Sequence, residues 1–197
     1  MNIIKPKKLK KGDTIGILTP SGPIENKENI FRAKKYFENK GYKVVLAEHI
    51  FDKNYYIAGK EEDRIADIHK FFEDKNINAI LCSRGGYGAI NILNKLNYDL
   101  IKNNPKIFAG FSDITAYEAM ILKKAGLITF YAPMASGDFG SEKVLKITEK
   151  SFFKTLTNDK NLEISPDLRK AKIYHKGSAR GIFFGGNLAT VQSLCGI

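Results

Sequence analysis

Lys106-Ile-Phe-Ala-Gly-Phe-Ser-Asp-Ile-Thr-Ala-Tyr117 is the stretch on which the reading of this chain turns. Ile107 to Ala109 make a short apolar run, Gly110 breaks it, and from Asp113 onward the residues read as a helix. A serine between a strand end and a helix start has the geometry of a nucleophile elbow. There the hydroxyl stands clear of the backbone, and the first N–H groups of the helix face whatever it attacks. Ser112 is therefore the candidate nucleophile. The usual elbow is Gly-x-Ser-x-Gly, and Ile114 stands where the second glycine would be. On this stretch alone, Ser112 or Asp113 reads equally well as a helix cap, because both residue types bond the free N–H groups of a first turn.

Working outward, the pattern repeats. Asp13 to Thr19 is a near-continuous apolar run, the mark of a strand buried on both faces, and it ends at the loop Pro20-Ser-Gly-Pro23. Ile30, Ala33 and Phe37 keep helical spacing up to a stop at Gly41. Tyr42 to Ala47 reads as a second strand, Gly59 to Phe72 as an amphipathic helix, Ala79 to Ser83 as a third strand and Tyr87 to Leu96 as a helix. After the strand into Ser112, the spacing predicts a helix over Ile114 to Ala125, a short strand at Leu127 to Phe130 and a helix over Ser141 to Leu156. Alternation of this kind predicts right-handed βαβ units: an α/β fold with a parallel sheet and helices on both faces.

Residues 1–157 form the first domain in this reading, and the polar stretch 158–180, with Pro166, is a linker. Residues 181–197 then read as the truncated start of a second domain: a strand at Arg180 to Phe184, a turn at Gly185-Gly-Asn-Leu188 and a helix through Leu194. One strand and one helix cannot bury a core, so the remainder of that domain is expected beyond Ile197.

Parallel sheets place their sites beyond the carboxyl ends of the strands, near a topological switch point. The three richest loops, Pro20 to Pro23, Arg84 to Gly88 and Phe111 to Asp113, all follow strands. That agreement favours the nucleophile reading of Ser112 over the cap. The glycines of Arg84-Gly-Gly-Tyr-Gly88 allow positive φ and a close approach of backbone to ligand. Their N–H groups, with that of Asp113, could form an oxyanion hole. A phosphate loop is disfavoured, since no Gly-Lys-Ser/Thr follows.

Composition sets the outer bounds. The 197 residues are 43% hydrophobic and 27% charged, which is ordinary globular composition. No apolar stretch is long enough to span a membrane, and the basic N-terminus lacks the apolar core of a secretory signal, so cytoplasmic residence is the default. The net charge of +11 comes from scattered lysines rather than Arg-rich clusters. They read as solvated surface that could help attract an acidic substrate, not as a nucleic-acid face. Cys82 and Cys195 are expected as free, buried thiols.

These motifs, in this order, closely resemble the N-terminal two-thirds of the LD-carboxypeptidases, the serine peptidase family that includes the microcin-immunity peptidases. The matching residues are Leu9-Lys-Lys-Gly-Asp-Thr-Ile-Gly-Ile17, Pro20-Ser21, Tyr56-Ile-Ala-Gly59, Arg64 and Ile80-Leu-Cys-Ser-Arg-Gly-Gly-Tyr-Gly88. Gly110-Phe-Ser-Asp-Ile-Thr115, Thr129-Phe130, Pro133-Met134 and Gly185-Gly-Asn-Leu188 continue the series. The resemblance implies a flavodoxin-like or class I amidotransferase-like first domain, Ser112 as nucleophile, and Arg84, Gly85, Gly86 and Asp113 as oxyanion and substrate-binding residues. It implies hydrolysis of the bond to a terminal D-amino acid, with a murein peptide ending in D-Ala as the partner molecule. No metal or organic cofactor, no nucleic acid and no membrane are implied, and a homodimer is. The family's glutamate and histidine lie beyond the Gly-Gly-Asn-Leu segment, so this chain alone is expected to be nearly inactive. His49, His69 and His175 do not match the family histidine, and Glu25, Glu118 and Glu142 have no motif support as its acid partner. Tyr131-Ala132 stands where the family usually has His-Gly.

Overall fold

A run that is apolar at every position is stable as a strand only when both of its faces are covered. In the computed structural model, which describes residues 2–158 and 172–196, three such runs form the middle of one parallel sheet. Every residue of β1 (Thr14–Leu18), β3 (Ala79–Cys82) and β4 (Ile107–Gly110) is buried. β2 (Lys43–Leu46), exposed and half-buried in alternation, forms one edge, and the two-residue β5 (Phe130–Tyr131) forms the other. The order is β2-β1-β3-β4-β5, with all neighbours parallel. That is the doubly wound arrangement whose direction reverses between β1 and β3.

The helices follow from that reversal. α1 (Lys27–Asn39) starts at Asn26, whose side chain accepts from the Glu28 N–H, and buries Ile30, Ala33 and Phe37. α2 (Glu61–Glu73) packs Phe71 onto Gly16 of β1, where an added Cβ would come within 2.6 Å of the Phe71 ring. α3 (Tyr98–Asn103) is capped by Asn97. α4 (Thr115–Met120) runs on into a π turn that Gly126 ends with φ +71°. α5 (Lys146–Leu156) and α6 (Leu188–Ser193) complete the series. Right-handed crossovers put α1 on one face of the sheet and α2, α3 and α4 on the other.

On the α1 side the core is aromatic. The rings of Phe37, Phe139 and Phe152 lie 4.7–6.0 Å apart, and Phe37 is fully buried. Phe37→Ala is expected to cost about 3–5 kcal/mol in urea denaturation, the range for truncating a fully packed phenylalanine. A loss below ~1 kcal/mol would show that this face is not packed as described.

One buried group opposes the fold at high pH. Glu118 on α4 is 2% exposed, its Oε1 has no hydrogen-bond partner among the described residues, and burial pushes its carboxyl up from 4.5 to about 8. The folded chain therefore holds a proton that the unfolded chain releases between those two values. Its stabilising contribution is complete below pH 4.5 and is lost as the pH rises through 8. Urea midpoints are expected to fall from pH 5 to pH 8.5 in the native chain and to fall less in Glu118→Gln. Equal slopes would contradict the buried neutral acid.

Five features depart from the sequence expectations. Tyr87 to Leu96 is not a helix: only a 3₁₀ turn at Leu93–Lys95 forms, because the preceding backbone is bound to other groups. The Gly88 carbonyl accepts from Arg64 and the Ala89 N–H bonds Asp113. The strand expected at Leu127 to Phe130 shifts to Phe130–Tyr131, since Leu127 bridges to Ile4 near the N-terminus. Arg180 to Phe184 is not a strand: among the described residues no strand offers it a partner, and Phe183 is 91% exposed. Cys82 is buried as expected, whereas Cys195 is exposed at the end of α6, a helix with no buried residue. The helix expected from Ser141 begins instead at Lys146. Most of the proposed linker, residues 159–171, lies outside the described residues. The Gly185-Gly-Asn-Leu turn into a helix is present, and its Asn187 N–H bonds the Thr115 hydroxyl of α4 at 3.0 Å.

Candidate active site

At a switch point, the loops leaving two neighbouring strands diverge to opposite faces and open a crevice between them. Here those strands are β1 and β3. The Gly22 N–H of the first loop donates to the Gly85 carbonyl of the second at 2.8 Å. A Cβ on Gly22 would meet that carbonyl at 2.8 Å, and one on Gly86 would meet the Gly22 Cα at 2.9 Å. The two backbones touch because neither carries a side chain. Gly86, at φ +109°, also occupies a region that other residues rarely enter.

The third loop brings Ser112 to the same place. Ser112 has φ +66°, a left-handed conformation that costs a non-glycine residue about 1–3 kcal/mol and persists only where its surroundings impose it. It is half-buried, and its hydroxyl makes no hydrogen bond within the described residues. The capping alternative is thereby overturned: neither the Ser112 nor the Asp113 side chain accepts from the first N–H groups of the helix. The Asp113 carboxylate instead takes the Ala89 N–H at 3.0 Å, which fastens the glycine-rich loop to the elbow. Gly85 lies against the turn so closely that a Cβ would come 2.9 Å from the Ser112 Cβ and 3.2 Å from the Asp113 N.

Two arginines hold this arrangement. Arg64 of α2, 2% exposed, donates from Nη1 to the Pro20 and Gly88 carbonyls, both at 2.9 Å. The Tyr117 hydroxyl donates to the same Pro20 oxygen at 2.7 Å. A lone arginine in a charged helix reads as solvated surface, so Arg64 drew attention in the sequence only through the family pattern. Arg84 donates to the Pro23 carbonyl at 3.0 Å and to Glu25 at 2.6 Å, and that hydrogen bond, with the guanidinium charge, holds the Glu25 carboxyl below the usual range.

Ser112, Arg84, Gly85 and Gly86 share one cleft of about 400 Å³. Asp113 is not among the residues that line it; its backbone N lies 3.2 Å from the position a Gly85 Cβ would take. Glu25 and Asp138 also line it, and sequence reading singled out neither for that role. Asp138 is fixed by the Met134 N–H at 2.8 Å. None of the three histidines lines the cleft. His49 bonds Asp67 at 3.1 Å, His69 accepts the Asn97 N–H, and His175 is exposed. His49 Nε2 also nears Asp63, and His49, Asp52 and Asp63 bring ligand atoms within 4.8 Å of one another, a grouping the linear sequence hides. Tyr131, at the variant His-Gly position, sits edge-on to Phe111 with ring centres 6.1 Å apart. A larger apolar pocket of about 520 Å³ beside β5 contains none of the predicted site residues.

A serine on a strained strand-to-helix turn, pressed by glycine backbone at the switch point of a parallel sheet, places the chain among α/β proteins of the nucleophile-elbow layout. The family described as the LD-carboxypeptidase N-terminal domain matches residues 15–132, and the chain belongs to that family, Peptidase_S66. It is 36% identical over 192 residues to a probable murein peptide carboxypeptidase of Bacillus subtilis, covering 98% of this chain and 60% of that protein. It is 32% identical to the microcin C7 self-immunity protein MccF of Escherichia coli, covering 94% of this chain and 62% of the relative. The solved apo structure of MccF aligns over 97% of this chain and 65% of its own, at 30% identity with a TM-score of 0.82. The chain thus spans about three-fifths of the length of the curated relatives it matches.

Proposed function

We propose that this chain is the nucleophile-bearing part of a serine peptidase that cleaves the bond to a C-terminal D-amino acid, with a murein tetrapeptide ending in D-alanine as substrate. The observation that carries this reading is the left-handed Ser112, its hydroxyl unclaimed by the described residues and its turn pressed by Gly85. Ser112 Oγ attacks the scissile carbonyl as a base takes its proton. The oxyanion rests on N–H groups near Gly86 and Asp113. An acyl-enzyme forms, the D-amino acid leaves, and water releases the remaining peptide. Because no histidine of the described residues lines the cleft, the base and its orienting acid belong, in this proposal, to a second domain that begins near residue 181. The carboxypeptidase names of the relatives support the substrate class. The same reading has the enzyme acting as a cytoplasmic homodimer.

The test is release of D-alanine from that tetrapeptide by these 197 residues and by a family-length chain. The expectation is turnover by the longer chain and almost none by the shorter. Brisk hydrolysis by the shorter chain would mean that the base lies within it. A second reading, cleavage of a peptide–nucleotide antibiotic, is favoured by the likeness to MccF, one of whose structures holds aspartyl sulfamoyl adenosine. Competition between the two substrates separates the readings.

A further inference from the structure

A carboxypeptidase differs from an endopeptidase in requiring a free carboxylate one residue beyond the scissile carbonyl. A negative charge held close to an anionic intermediate needs a fixed cation. Among the described residues lining the cleft around Ser112 there is one cation, Arg84, and the ionisable groups beside it, Glu25 and Asp138, are acids. The way Arg84 is held is specific. Both hydrogen bonds come from Nη1, one to the Pro23 carbonyl at 3.0 Å and one to Glu25 at 2.6 Å. No hydrogen bond within the described residues takes up Nε or Nη2. That pair forms the side of the guanidinium that matches the two oxygens of a carboxylate in parallel. Gly22 leaves Nε uncrowded, since a Cβ there would already be in contact with it at 3.5 Å.

We propose that Arg84 is the specificity residue that reads the free α-carboxylate of the substrate's last residue. Its Nε–Nη2 edge makes the contact while Pro23 and Glu25 hold Nη1 in place. The inference rests on the peptidase reading above and adds to it the group that makes the activity exopeptidic. Arg84 touches the part of the substrate that leaves, and it takes no proton. Glu25 acts through Arg84 as a positioning residue. Asp138, which also lines the cleft, disfavours a carboxylate bound anywhere but on the guanidinium.

Binding tests this without requiring turnover. A synthetic murein tetrapeptide ending in D-alanine, and the same peptide ending in D-alanine amide, are titrated calorimetrically into the native chain, Arg84→Ala and Arg84→Lys. The native chain is expected to bind the acid at least about tenfold more tightly than the amide, a charge-assisted bidentate contact being at stake. Arg84→Ala is expected to bind both at the weaker level, and Arg84→Lys to keep only part of the preference, since an ammonium cannot pair both oxygens in parallel. The native acid-to-amide ratio involves no variant, so it stands even if Arg84→Ala disturbs the loop. Equal native affinity for acid and amide, or an undiminished preference in Arg84→Ala, would overturn the role of Arg84 and leave the peptidase reading intact. Failure of both peptides to bind would sink both.

Discussion

Ser112→Ala is expected to lower kcat for D-alanine release by a family-length chain by roughly 10⁴ to 10⁶, with little change in KM. The magnitude follows from the way such sites act as a unit: without the nucleophile no acyl-enzyme forms, and only binding and the oxyanion donors remain. A stability change separates this from misfolding. Ser112 sits at φ +66°, so alanine keeps the backbone strain while losing only a half-buried hydroxyl with no hydrogen bond in the described residues. The urea midpoint should therefore barely move. Ser112→Gly, which relieves the left-handed conformation, is expected to be equally inactive and slightly more stable. A Ser112→Ala enzyme retaining more than about a hundredth of native turnover would mean that another group attacks the carbonyl.

Gly85→Ala should have the second-largest effect, and for a different reason. Its new methyl would lie 2.9 Å from the Ser112 Cβ, 3.1 Å from the Phe111 carbonyl and 3.2 Å from the Asp113 N. Two of those neighbours are backbone atoms, which cannot swing aside as the end of a flexible side chain can. The methyl must push the elbow and the glycine-rich loop apart, moving the donors away from the oxyanion position. Removing one oxyanion donor costs about 10² to 10³ in rate, and displacing both loops belongs in that range. Steady-state kinetics should show the loss in kcat, while circular dichroism shows the fold retained. Native kcat in Gly85→Ala would mean that the close approach of these loops has no part in the chemistry.

The elements that the sequence made legible are those whose burial leaves a mark in one dimension. β1, β3 and β4 are apolar at nearly every position because both their faces are covered, and that cannot be mistaken for an amphipathic strand. Ser112 was legible for a related reason, since a small polar residue directly after such a run stands at the carboxyl edge of the sheet. The failures share a cause as well. Ala89, Ile92, Leu93 and Leu96 are all buried at near-helical spacing, yet the loop before them is bound by Arg64 and Asp113 from distant parts of the chain. Tertiary hydrogen bonds overrode the periodicity. The same long-range bonding made Arg64 invisible as the residue that ties two strand-end loops together. β5 moved because Leu127 joined Ile4, a pairing across more than a hundred residues that no local pattern records. Within the cleft, Arg84 and the glycines were visible as a loop, whereas Glu25 and Asp138 come from segments that only folding brings together.

Ser112 is tested by mass spectrometry of the native chain after prolonged exposure to excess fluorophosphonate, followed by peptide mapping. If Ser112 is the nucleophile in an oxyanion-stabilising cleft, one phosphonyl group appears on the peptide that carries Ser112. Labelling is slow in the absence of a histidine in the cleft, and it vanishes in Ser112→Ala. A label on a different side chain, an equal label on Ser112→Ala, or a chain left wholly unmodified would contradict the account.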